Sequence, residues 1–409
     1  MLVSALVVLL AAPVVQVGLD RVAAPKRAWS GSGERVVPIE PLRGKRIGLV
    51  VHGASVTADG RHAIDVLRAL GNDVVRLFAA EHGIRGSAAA GAKIESGTDE
   101  KSGLPIVSIY GEKNKPSAED LQGLDALVFD LQDAGVRFYT YMSTMLLCLE
   151  SAAENGVEFV VLDRPNPLGG ERVLGPVADP AALKQASLFR TPGPLVHGLT
   201  TGEMARYANS LLAKPAKLTV VEMSGWKRSM TWADTGRTWP TPSPNLRSAE
   251  AALAYPGTCL LEGTNATEGR GTEAPFLLVG APWVRSEAWA AAAKTPGFAL
   301  EPARFTPTAS EAAPKPKLLG EACQGLRVRV TDPKGASPFA LGVALLKSLK
   351  ALHPEFAWRG DGSAFDRLVG TRRLREAIER GDTLDAIVKS DATAQAEWRR
   401  EREKALLYR

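Results

Sequence analysis

Five segments of the chain share one pattern, an apolar, β-branched middle that turns polar at its C-terminal end. They are KRIGLVVHG (45–53), DVVRLFAAEHG (73–83), PIVSIYG (105–111), DALVFDLQDAG (125–135) and VEFVVLDRPN (157–166). A strand that stays apolar along its length has both faces covered, which is the condition of a strand in a parallel sheet. Helical spacing falls between them, in RHAIDVLRALG (61–71) and TYMSTMLLCLESAAENG (140–156), each ending on glycine. The alternation predicts a doubly wound, Rossmann-like α/β parallel sheet over residues 43–245. After about residue 245 it breaks down. Residues 286–317 are rich in Ala and Pro without a period, a strand is expected at 325–332, and helices at 338–352, 371–380 and 393–408. Residues 246–409 therefore read as a smaller α+β domain.

The N-terminal end behaves differently. No charged side chain precedes Asp20, so residues 1–19 read as a secretory signal, with an uncleaved N-terminal anchor as the alternative. Residues 20–42, rich in Arg, Pro, Ser and Gly, read as a linker. Either form of the N-terminus predicts an exported protein, periplasmic or extracellular. Three cysteines in 409 residues exclude a disulfide framework. Fifty basic against 45 acidic residues leave a net charge of +5 on a mixed surface, so no nucleic-acid partner is implied.

In an open α/β sheet, ligands bind outside the carboxyl ends of the strands. Those ends carry His52, Glu81 and His82, Tyr110, Asp130 and Asp133, then Asp163, Arg164 and Asn166. Asp130 and Asp163 equally suit loop-tying or helix-capping roles. Glu81 stands out because Glu-His-Gly follows an apolar run directly, and partial desolvation at the sheet mouth would suit it to general-acid work. A second rich stretch, YPGTCLLEGTNATEGRGTEAPF (255–276), holds Glu262, Glu268 and Arg270 in a glycine-dense loop. Dinucleotide, Walker and nucleophile-elbow motifs are absent, HExxH is absent, and the five histidines show no metal-ligand spacing. Dinucleotide binding and an NTPase are therefore disfavoured, and no metal is expected. The remaining carboxylates, arginines and tyrosines are the equipment of carbohydrate chemistry, where glycoside hydrolysis needs a proton donor and a second group.

AEHGIRG (80–86), VFDLQDAGVRFYTY (128–141), VLDRPNPLGG (161–170), VHGLTTGE (196–203), PSPNL (242–246) and the 255–276 stretch together resemble the exo-β-N-acetylmuramidase (NamZ-type) family of peptidoglycan glycosidases. The resemblance runs from about residue 43 to the C-terminus. It implies an active site in the cleft between a Rossmann-like domain and a smaller domain. It also implies release of N-acetylmuramic acid from the non-reducing end of peptide-free muramyl oligosaccharides, and it implies no cofactor. Carried over by motif, Glu81 is the leading catalytic acid, with Glu262, Glu268, Asp130 or a tyrosine open for the second role. His82, Arg85, Asp130, Asp133, Arg137, Tyr139, Tyr141, Arg164, Asn166, Asn265 and Arg270 are the expected substrate-binding residues. The lactyl carboxylate of this sugar suits an arginine partner, and Arg85, Arg137, Arg164 and Arg270 all fall in these blocks. Two positions depart from the family pattern: Ala80 replaces a proline, and the first strand ends in Val51-His52-Gly53-Ala54-Ser55 rather than Thr-Asn. A non-catalytic periplasmic binding protein for muramyl sugars is the alternative reading.

Overall fold

The computed structural model describes residues 14–24, 26–30, 33–37, 42–185 and 190–409. In chain order the strands are β1 (Lys26–Ser30), β2 (Gly33–Val37), β3 (Arg46–Val51), β4 (Asp73–Ala79), β5 (Gly97–Thr98), β6 (Pro105–Ser108) and β7 (Ala126–Asp130). They continue as β8 (Glu158–Leu162), β9 (Leu174–Val177), β10 (Pro194–Val196), β11 (Leu218–Val221), β12 (Leu278–Ala281), β13 (Phe298–Phe305) and β14 (Cys323–Val330). Seven of them form one sheet in the order β11-β8-β7-β3-β4-β6-β5, parallel except for the edge strand β5. The chain starts at the central β3, builds outward through β4 and β6, then crosses back to build β7, β8 and β11. That reversal is the topological switch at which such sheets open a crevice beyond their carboxyl ends.

The apolar runs become strands because both faces of the sheet are buried. Along β3, Ile47, Leu49 and Val51 pack with Ile64 and Leu67 of the helix Ala63–Ala69. Val50, Phe78, Phe129 and Val161 face the helix Thr140–Asn155 on the other side. Side chains alternate between the faces, so a one-residue slip would turn each set away from its partners. Each fully buried Val, Leu, Ile or Phe contributes about 1.5–3 kcal/mol. Gly156, in the left-handed region at φ 68°, ends the Thr140–Asn155 helix as expected.

The N-terminal expectation is partly overturned. Residues 1–13, most of the expected signal or anchor, lie outside the described residues, but residues 14–24 belong to the folded body. Val15, Val17 and Leu19 are buried, Gln16 pairs with Ser224, and Gly18–Ala23 is a helix. Asp20 of that helix meets Arg237 at 2.5 Å. The expected division at residue 19 therefore falls inside a helix, and the expected linker 20–42 contains the rest of that helix and the β1–β2 ladder. An apolar run reads alike whether it serves as a leader or packs on a sheet edge. Among the described residues, no helix is long and apolar enough to cross a membrane.

The second domain is a three-stranded antiparallel sheet, β12-β14-β13, packed by the helices Ala249–Thr258 and Pro338–Leu352. The aperiodic 286–317 stretch supplies the helix Ser286–Ala292 and strand β13. The last helix, Ala392–Arg402, returns to the first domain. Its Trp398 indole donates to the His197 carbonyl at 2.8 Å, and Arg402 donates to the carbonyls of Gly170, His197 and Gly198.

Candidate active site

Strand β4 ends at Ala79, and the chain turns sharply through His82 (φ 70°) and Gly83 (φ 73°). A non-glycine residue in the left-handed region is strained. His82 is held there by a 2.7 Å hydrogen bond between its Nδ1 and the Ala88 carbonyl. The loop packs tightly on the end of β3: a Cβ on Gly53 would stand 2.4 Å from the Arg85 carbonyl oxygen. Glu81 is thereby fixed at the sheet mouth, 8% exposed.

Its carboxylate accepts hydrogen bonds from three separate elements. The Gly91 amide reaches Oε1 at 2.8 Å, the Tyr110 hydroxyl beyond β6 reaches Oε1 at 3.0 Å, and Thr140 Oγ1 reaches Oε2 at 2.7 Å. Burial and the nearby Glu81 charge together push the Tyr110 phenol above its usual range, so it is a donor at neutral pH. The Tyr141 hydroxyl lies 3.1 Å from the Glu81 carbonyl and 3.0 Å from that of Pro242. The Tyr141 ring stacks on His52, with centroids 5.0 Å apart. Burial, then Arg164, holds His52 well below the usual imidazole range, so it packs as a neutral ring.

Glu81 opens onto a cavity of about 1090 Å³ between the two domains. The first domain lines it with Glu81, His82, Tyr110 and the run Arg137–Thr140; the second lines it with Tyr255, Cys259, Glu262, Arg270, Phe276 and the segment 361–375. Arg270 lies over the Phe276 ring at 5.0 Å and bridges Glu262 to Glu268, the latter at 2.8 Å. Glu268 also meets Lys317 at 3.0 Å. Burial opposes its ionisation, yet Lys317 and Arg270 hold it down to about 2. Glu268 is thus a buried counter-ion behind Arg270 and does not line the cavity. Glu262 does line it.

The predicted residues divide sharply. Glu81, His82, Arg137, Tyr139, Glu262 and Arg270 come together at the cavity. The others are taken up in holding loops. Arg164 grips Asp130 with both ends of its guanidinium (2.6 and 2.9 Å), with both side chains buried. Arg85 is tied to Asp99 (2.7 and 2.8 Å). Asn166 bonds Leu199 and Leu168, and Asn265 bonds the Glu355 and Ala357 backbone. Asp133 accepts the Gly135 amide at 2.6 Å, and burial raises it to about 7. Tyr141 acts from behind Glu81. Asp163 caps the Thr201–Leu211 helix, accepting from Thr200 and Gly202. Strand-end polar groups must be satisfied when buried, and these satisfy one another before any ligand arrives.

Thr140 and the 361–375 wall were missed. Thr140 sat unmarked inside a tyrosine block, while the arginine density of DRLVGTRRLR (366–375) was the available signal for the wall. Among the described residues, no cluster of His, Cys, Asp and Glu could hold a metal ion.

A Rossmann-type sheet whose mouth presents a clamped carboxylate to an interdomain cavity defines a two-domain α/β enzyme. Comparison with known proteins specifies the family. The chain matches "Exo-beta-N-acetylmuramidase NamZ, N-terminal" over residues 47–250 and "Exo-beta-N-acetylmuramidase NamZ, C-terminal" over residues 253–408. It is 41% identical over 372 residues to the peptidoglycan beta-N-acetylmuramidase NamZ of Bacillus subtilis (strain 168), covering 90% of this chain and 88% of that protein. Crystal structures of two DUF1343 family proteins from Bacteroides fragilis NCTC 9343 share the fold. Their TM-scores are 0.83 and 0.75, at 30% and 28% identity, and each comparison covers 97% of this chain and 99% of the other. The chain belongs to the NamZ exo-β-N-acetylmuramidase family and is a glycosidase.

Proposed function

We propose that the enzyme releases N-acetylmuramic acid from the non-reducing end of peptide-free peptidoglycan fragments during cell-wall turnover, with Glu81 as its general acid. The observation that carries this reading is the Glu81 carboxyl group, oriented at the cavity by Gly91, Tyr110 and Thr140. Three donors on three elements fix its rotamer, so binding need not order it. Glu262 faces the same cavity from the other domain and is the candidate for the second group, which assists water or the oxocarbenium centre. A cavity of about 1090 Å³ lies at the upper end of ordinary small-molecule sites. An exported location fits a substrate that lies outside the cytoplasmic membrane, and the uncharged, apolar sequence of residues 1–13 supports it.

The test is Glu81→Gln assayed on a chromogenic N-acetylmuraminide. Loss of the proton donor is expected to lower kcat by about 10²–10⁴-fold. Binding of N-acetylmuramic acid, followed by calorimetry, should stay within a few-fold of wild type. Near-wild-type turnover in that variant would remove Glu81 from the chemistry.

A further inference from the structure

Five arginines line the interdomain cavity, and their counter-ions are unequally distributed. Arg270 lies between Glu262 and Glu268. Arg375 donates to both oxygens of Asp366 (2.9 and 2.8 Å) and to Glu379 at 3.0 Å. The other three form no ion pair among the described residues. Asp179, which also lines the cavity, and Asp391 act on Arg137 through space and are themselves held by Arg373. Arg367 and Arg372 are exposed at the cavity wall, and their guanidinium groups have no hydrogen bond or ion pair among the described residues. Arg137 is 3% exposed and meets only carbonyl oxygens, those of Val369 and Pro176, while its Nε has no partner. For Arg137, burial beside the cavity with no carboxylate in hydrogen-bond contact is a costly arrangement that an anionic ligand would relieve.

The three also share one place. Val369 and Gly370 lie directly on Arg137, and a Cβ on Gly370 would stand 2.3 Å from its Nη1. Arg367 precedes that contact by two residues and Arg372 follows it by two. Glu81 belongs to a different part of the lining, at the end of β4, so its carboxylate and this group of unpaired guanidinium cations reach the cavity from different elements.

We propose that Arg137, Arg367 and Arg372 form a carboxylate subsite that holds the lactyl carboxylate of the muramyl unit and sets the preference for this acidic sugar over its neutral counterparts. The identity of the sugar rests on the glycosidase reading above; the selection for a carboxylate rests on the arginines alone. It replaces Arg85, Arg164 and Arg270, which the sequence offered for this role and which the fold pairs with acids of its own.

The test leaves Arg137 in place, because removing it would also free Val369. Wild type and the double variant R367Q/R372Q are compared on two chromogenic N-acetylmuraminides, one with the free lactyl acid and one with the lactyl group as its neutral amide. Wild type should favour the acid by about ten-fold or more in kcat/KM, the scale of one charge-assisted pair. The double variant should lose that preference through a raised KM on the acid, with the amide unchanged, and R367K/R372K should restore part of it. Equal losses on both substrates, or no loss on either, would overturn the subsite. If wild type cleaves neither compound, the glycosidase reading fails on its own. Calorimetric binding of N-acetylmuramic acid and its lactyl amide then decides the subsite: a preference for the acid that the double variant loses supports it, and one that it retains, or no preference in wild type, overturns it.

Discussion

Arg164 and Asp130 place opposite charges where neither would be tolerated alone, since both side chains are 2% exposed or less. Removing one partner leaves the other buried and uncompensated. Arg164→Met is therefore expected to lower stability by about 3–5 kcal/mol, read as a fall in Tm, with the double change Arg164→Met, Asp130→Leu recovering much of the loss. Asp133 and His197, 3.9 Å apart, titrate in opposite senses. Burial raises Asp133 from 3.8 to about 7, so the folded state binds the proton more tightly and stability falls as pH rises from about 4 to 7. Burial, with Arg402 and Arg137, lowers His197 from 6.5 to about 3, so its contribution rises between about pH 3 and 6.5. Asp133→Asn removes only the falling part. The variant should gain on wild type by roughly a few kcal/mol between pH 4 and pH 8 in denaturant titrations. Residue types at the strand ends were legible in the sequence, but their pairing was not, because whether Arg164 faces Asp130 or a ligand depends on neighbours distant in the chain.

At the level of elements, the helices Ala249–Thr258 and Pro338–Leu352 cross at a pair of glycines. A Cβ on Gly257 would stand 2.1 Å from the Pro338 carbonyl oxygen, and one on Gly342 would stand 2.7 Å from Gly257 Cα. Gly342→Ala improves helix propensity by about 1 kcal/mol but forces the backbones apart. The expected net effect is a loss of about 1–3 kcal/mol by thermal unfolding, and a gain in Tm would refute the close crossing. Because Gly257 leads directly into the turn carrying Cys259 and Glu262, kcat should fall as well. The central strands β3, β7 and β8 were legible because double burial writes a continuous apolar run into each. β11 was not, since its LTVV is short and lies at the sheet edge.

At the level of the whole molecule, the C-terminus fastens the two domains together. The Tyr408 hydroxyl donates to Asp163 Oδ2 at 2.6 Å and accepts the Met223 amide at 2.9 Å, both in the first domain. Tyr408→Phe should cost about 1–3 kcal/mol by leaving a buried amide unsatisfied, detectable by calorimetry as a lower Tm. By itself the sequence determined the α/β sheet, the smaller second domain, the family and the position of Glu81. Each of these is local, carried by an apolar run, a glycine stop or an unbroken motif. Only the tertiary structure decided that residues 14–24 pack in the folded body, which carboxylates are consumed as counter-ions, and which arginines remain free. Charge pairing depends on contacts between residues such as Asp20 and Arg237, separated by 217 positions in the chain, and no local pattern encodes that distance.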